Sequence, residues 1–108
     1  MKIKKHKRVH CKDGFSMSVQ ADKYSYCNPR IDAAETYTEV EVGYPNRMEP
    51  LLEQYCEDPS RPCDTVYGYV PSHVVSLVIT KHGGLVEGTV PNGVLLYDNP
   101  SKAFIGTR

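Results

Sequence analysis

DTVYGYVPSHVVSLVITKHGG, residues 64–84, places a strand, a corner, a helix and a stop signal in consecutive order. Residues 65–70 are mostly β-branched or aromatic, which suits a pleated surface buried on at least one side. Pro71 ends that run, because its ring fixes φ near the helical value and holds Val70 extended. A helix is predicted over 71–83. Val74, Leu77, Val78 and Lys81 recur at helical spacing with Val75, Ile79 and His82 beside them, and Gly83-Gly84 supplies a left-handed stop. Tyr67 and Tyr69 stand two apart in the strand, so they are expected on the same side, sharing one exposure.

Working outward, residues 37–42 alternate strictly, with Val40 and Val42 on one face and Tyr37, Glu39 and Glu41 on the other. Phe15, Met17 and Val19 alternate with Ser16, Ser18 and Gln20 after the turn Asp13-Gly14, giving that strand an antiparallel partner. Between them, residues 21–34 read as a loop holding one or two anchored aromatics, Tyr24 and Tyr26. Residues 49–57 read as a short helix with Pro50 near its start, Glu49 in the favourable first turn, and an apolar stripe of Leu51, Leu52, Tyr55 and Cys56. Downstream, residues 85–90 and 94–97 flank Pro91-Asn92-Gly93 and are predicted to form a hairpin. Residues 103–105 supply a last short strand or a packed tail, and residues 1–12 either an edge strand shielded by lysines or a frayed basic arm. The sum is an α+β protein: one domain over 1–108, mainly an antiparallel sheet of about four to six strands, with two helices.

Length and composition set the outer limits. A chain of 108 residues has room for one core, and 40% hydrophobic with 24% charged residues is ordinary for a folded domain. Thirteen basic and thirteen acidic side chains cancel. The cancellation hides a split: Lys2, Lys4, Lys5, Lys7, Arg8 and Lys12 occupy residues 1–12 without an acid, whereas residues 31–64 carry nine acids against Arg47 and Arg61, a local charge of −7. The basic N-terminus does not lead into an apolar stretch, and no run approaches membrane-spanning length, so a cytoplasmic protein is expected. In that setting Cys11, Cys27, Cys56 and Cys63 are expected as reduced thiols.

No constellation points to chemistry. Zinc sites take paired ligands from one tight knuckle, and Cys56 and Cys63 are separated by six residues including two prolines, so neither metal nor cofactor is expected. His82, at a helix end where the dipole favours its cation, has a structural reason to be there, and no nucleophile signature accompanies any cysteine. An enzyme is therefore not the leading reading; it would need a pocket joining His73 or His82 to a cysteine or carboxylate. Spaced acids interleaved with tyrosines suit a protein-binding face, whose candidates are Tyr37, Glu39, Glu41, Tyr44, Glu49, Glu53, Tyr67 and Tyr69. The alternative is a nucleic-acid-binding accessory protein that contacts phosphates through Lys4, Lys5, Lys7 and Arg8.

The stretches EVEVGYP (39–45), TVYGYVP (65–71) and KHGG (81–84) resemble those of small proteins encoded by bacteriophages and mobile elements. Proteins of that source include anti-CRISPR proteins, generally non-enzymatic binders that sometimes use acidic surfaces to occupy nucleic-acid sites. The resemblance implies an inhibitor of a host nucleic-acid-handling complex in the bacterial cytoplasm. It brings no inhibitory residues with it.

Overall fold

Gly83 and Gly84 stop the one α-helix among the described residues as the sequence predicts, at φ +95° and +98°. Their N–H groups donate to Thr80 O at 3.0 Å and Ile79 O at 2.9 Å, the paired bonds of a Schellman cap. The computed structural model describes residues 5–97. The helix, α1, runs Ser72–Lys81 and follows β4, Val66–Pro71, without a linker. Ser72 secures the corner: its N–H donates to Thr38 O at 2.9 Å and its hydroxyl to Tyr37 O at 2.6 Å.

Which side of α1 is buried differs from the predicted stripe. Val75, Val78, Ile79 and His82 face inward, while Leu77 is 54% exposed and Val74 half-buried. The inward set has spacing i, i+3, i+4, i+7, as valid a helical stripe as the predicted one. Burial of His82 by its partners, described below, selects between them.

Three further strands, β1 (Val9–Cys11), β2 (Ser16–Gln20) and β3 (Glu39–Gly43), precede β4, and β5 (Leu85–Glu87) follows α1. They form one antiparallel sheet in the order β4-β3-β2-β1-β5. The N-terminal segment is neither an edge strand nor a frayed arm over its described residues, because β1 lies between β2 and β5. Its lead-in is tied down as well: His6 N–H donates to Gln20 Oε1 at 2.9 Å, and Thr89 N–H donates to Lys7 O at 3.2 Å.

Period-two alternation sends Met17, Val19, Val40 and Val42 into the core and Ser18, Gln20, Glu39 and Glu41 to the opposite face. The core is closed by α1 and by the 3-10 helix η1, Pro50–Tyr55, which inserts Leu52. The predicted short helix is thus present in a tighter form, and Glu49 caps it by accepting from Leu51 N–H at 2.8 Å.

The predicted hairpin after α1 does not form. Gly88, at φ +111°, turns the chain away after β5, and residues 94–97 are not a strand. The Asn92-Gly93 turn serves another partner: Tyr37 N–H donates to Asn92 O at 2.8 Å, and Asn92 Nδ2 donates to Ala34 O at 3.1 Å. Val94 buries against the core instead of pairing. The expected element at 103–105 lies outside the described residues.

Candidate interaction face

The sheet face opposite α1 is polar and holds an open depression of about 390 Å³ lined by Lys5, Ser18, Gln20, Glu41, Gly43, Tyr44 and Val66. Tyr44, 52% exposed, follows Gly43 at the end of β3 with φ +50°. A bulky residue rarely adopts that backbone unless its surroundings hold it there. Arg8 does so, donating from Nη2 to Tyr44 O at 2.6 Å and from Nε to Ser16 Oγ at 3.1 Å, while Tyr44 N–H donates to Thr65 O at 2.9 Å.

A bulge in β4 shapes the neighbouring corner of this face. Val40 pairs with Val70 and Val42 with Tyr67, so Gly68 and Tyr69 together oppose Glu41 alone. The extra residue reverses the alternation: Tyr67 is buried and Tyr69 emerges 44% exposed at φ +54°. The two tyrosines do not share a side. Tyr69 instead stacks on Tyr26, with ring centroids 6.0 Å apart and planes 27° from parallel.

Gly68 is what allows that approach. A Cβ there would meet Glu57 Oε2 at 3.1 Å and Tyr26 Cβ at 3.2 Å, so both side chains lie against its α-carbon. Backbone bonds fix the arrangement: Tyr69 N–H donates to Tyr26 O at 3.0 Å and Glu57 N–H to Val66 O at 3.0 Å. Tyr26 N–H donates to Glu41 Oε1 at 2.7 Å. The Glu57 bond, with a bridge between Cys56 and Tyr67, covers β4 at Val66 and Tyr67 on the side away from β3. The Arg30 guanidinium lies 5.3 Å from the Tyr26 ring centroid.

The sequence-predicted face is thereby split. Tyr44 and Tyr69 are exposed, Glu41 lines the depression, Glu39 is half-buried one alternation away on β3, and Glu53 is exposed on η1. Tyr37, Glu49 and Tyr67 are buried and offer nothing to a partner. The Tyr37 hydroxyl donates to Ile31 O at 2.6 Å, and that of Tyr67 donates to Pro62 O at 2.6 Å. Sequence reasoning missed Tyr26, Arg30 and Glu57; Tyr26 is 40% and Tyr24 68% exposed, so neither loop aromatic is anchored inward. Gly68 inside a strand pattern was the available signal, since such a glycine marks a bulge or a close approach. Of the basic candidates, Arg8 is engaged internally, Lys5 lies 4.0 Å from Asp22, Lys7 is exposed, and Lys4 falls outside the described residues.

The one constellation with a chemical look is elsewhere. His82 Nδ1 lies 2.6 Å from Asp13 Oδ2 and Nε2 2.6 Å from Glu49 Oε1, with Phe15 stacked on the ring at 4.2 Å. Lys81 Nζ donates to Glu49 Oε2 at 2.9 Å, and Arg47 pairs with Asp13 at 3.0 Å. Burial alone would raise the Glu49 pKa, but the Leu51 N–H, Lys81 and His82 outweigh it and hold the carboxyl below its usual range. The Phe15 N–H, then His82, lower that of Asp13. Each ring nitrogen is within hydrogen-bond distance of a carboxylate oxygen, so neither is left to act on a substrate. The depression is lined by neither His73 nor His82.

The cysteines are unpaired thiols, two buried and two half-buried. Burial, reinforced by the Asp13 charge, pushes Cys11 up to about 11, the opposite of nucleophile activation. Among the described residues no group of three or more His, Cys, Asp or Glu is arranged to hold a metal ion. No helix among them is long and apolar enough to cross a membrane. No protein-family model, curated protein or solved structure matches the chain.

Proposed function

We propose that this protein is a non-catalytic binding module whose contact face is the outer side of the sheet, from Tyr44 across Glu41 to the Tyr26–Tyr69 pair. The observation that carries the reading is the backbone at Tyr44 and Tyr69: two exposed tyrosines held at φ +50° and +54°, flanking one polar face. A left-handed backbone costs a non-glycine residue about 1–2 kcal/mol. Glycine at either place would remove that cost, so retention of a tyrosine fits a side chain needed outside. Tyrosine supplies large, rigid, amphipathic contact area at low entropic cost, as binding hot spots require.

The partner class comes from the resemblance to small phage-encoded inhibitors: a protein or ribonucleoprotein component of a host nucleic-acid-handling machine, met in the bacterial cytoplasm. The carboxylates beside the tyrosines, half-buried Glu41 and exposed Glu57, favour a basic protein surface over a phosphate backbone, which they would repel. Affinity capture from bacterial extract tests this. Replacing Glu41 and Glu57 by lysine is expected to weaken capture and flatten its salt dependence; unchanged recovery and salt response would refute the reading. Retention of RNA or DNA that is lost on replacing Lys5 and Lys7 would favour the nucleic-acid alternative.

A further inference from the structure

We propose that the Tyr26–Tyr69 pair, with Glu41 and Glu57, is a receptor for one arginine side chain of the partner, and that Arg30 is its internal placeholder. The inference rests on the proposed contact face and names the chemistry that face recognises.

The chemistry follows from what surrounds the two rings. Aromatic faces attract a guanidinium through their quadrupole, and a planar guanidinium stacks where a compact ammonium does not. Both rings are partly exposed, and the Arg30 guanidinium lies 5.3 Å from the centre of the Tyr26 ring, so this ring already takes such a group. Arg30 forms no ion pair with the described residues. The carboxylates of Glu41 and Glu57 likewise have no cationic partner among them, although one touches Tyr26 N–H and the other lies against Gly68. A guanidinium between the rings and these carboxylates satisfies both, with two N–H groups directed at each acid in the fork geometry only arginine has. Because Arg30 is tethered, it competes at high local concentration for the ring it covers. A partner's arginine must displace it or share the pair with it.

The test uses the full chain, isotopically labelled, and three capped tripeptides: acetyl-Gly-Arg-Gly-amide and its lysine and citrulline counterparts. Titration followed by amide NMR shifts is expected to perturb Tyr26, Glu41, Gly68 and Tyr69, with arginine bound about tenfold more tightly than neutral, isosteric citrulline and lysine in between. Glu57→Gln should weaken arginine binding about threefold. Arg30→Gln should tighten it, by removing the competitor and a like charge. Tyr69→Gly should abolish it while distant amides keep their positions. Equal binding of arginine and citrulline, shifts centred on Tyr44, or weaker binding in Arg30→Gln would each overturn the proposal. The two layers separate cleanly. Partner capture lost in Tyr69→Gly without arginine selectivity refutes the receptor and leaves the contact face standing. Arginine selectivity with capture undiminished in Tyr69→Gly refutes the contact face.

Discussion

Glu49 Oε1 lies 2.6 Å from His82 Nε2, joining the start of η1 to the end of α1 across 33 residues of sequence. The Glu49 side chain is 1% exposed and is also held by Lys81, so removing its charge leaves the buried His82 ring without a charged acceptor at Nε2 and Lys81 without its partner. Glu49→Gln is expected to cost about 3 kcal/mol at pH 7, lowering the melting temperature by roughly 10 °C or more in calorimetry.

The same contact sets a pH dependence whose sign is fixed. Glu49 has a native pKa below its unfolded one, so its stabilising contribution is complete above the ordinary glutamate value of about 4.3. It fades as the pH falls from there through the lower native value. Asp13, depressed by the Phe15 N–H and His82, acts in the same direction. Melting curves should show the gap between the natural chain and Glu49→Gln narrowing below about pH 4; a constant gap down to pH 2 would mean that Glu49 is not ionised in the native state.

Two glycines distinguish backbone strain from contact. Gly14, at φ +95°, has open space where a Cβ would stand; Gly93, at φ +107°, would place one 2.4 Å from Tyr37 O. Gly14→Ala should therefore cost about 1–2 kcal/mol, the conformational term alone. Gly93→Ala should cost more than about 3 kcal/mol, since Tyr37 is buried and its backbone is fixed by Asn92 and Ser72. Denaturant unfolding of both variants checks the order, which the reverse ranking would refute.

Tyr67 and Tyr69 should respond oppositely to truncation. Tyr67→Ala opens a cavity in the core and is expected to cost about 3–5 kcal/mol. Tyr69→Gly relieves a left-handed backbone worth about 1–2 kcal/mol and adds chain entropy of about 0.5–1 kcal/mol, leaving stability nearly unchanged. Equal destabilisation by the two would show that the bulge does not turn Tyr69 outward.

Thiol reactivity follows burial. Cys11 and Cys27 are buried and shifted upward, whereas Cys56 and Cys63 are half-buried. At pH 7.5 a thiol reagent should label two cysteines quickly and the other two only after unfolding, with Cys56→Ser and Cys63→Ser each removing one fast site. Rapid labelling of Cys11 would contradict the packing of β1.

The order of strand, corner, helix and stop in residues 64–84 is legible because its signals are local. Pro71 and Gly83-Gly84 constrain their own backbone, and β-branched residues between turn formers suit a strand whatever surrounds them. What failed was non-local. The buried side of α1 depends on His82 meeting Asp13, 69 residues away, and Glu49, 33 away, neither of which helical periodicity can register. Glu49 counted toward an acidic surface although it is an interior ion partner. Tyr37 and Tyr67 looked amphipathic in alternating strands, yet their hydroxyls find carbonyl partners inside. On the candidate face, Tyr44 and Glu41 were legible, whereas the Tyr26–Tyr69 pair required a bulge that only Gly68 announced.

The most direct test of the contact face compares two immobilised variants with the natural chain in capture from bacterial extract. One carries Tyr44→Gly and Tyr69→Gly; the other carries Leu77→Asp, on the exposed side of α1, which packs against the opposite sheet face. The account predicts that the partner retained by the natural chain is retained by Leu77→Asp and lost from the double-glycine variant, with both variants folded by circular dichroism. Retention by the double-glycine variant, or loss from Leu77→Asp alone, would contradict it.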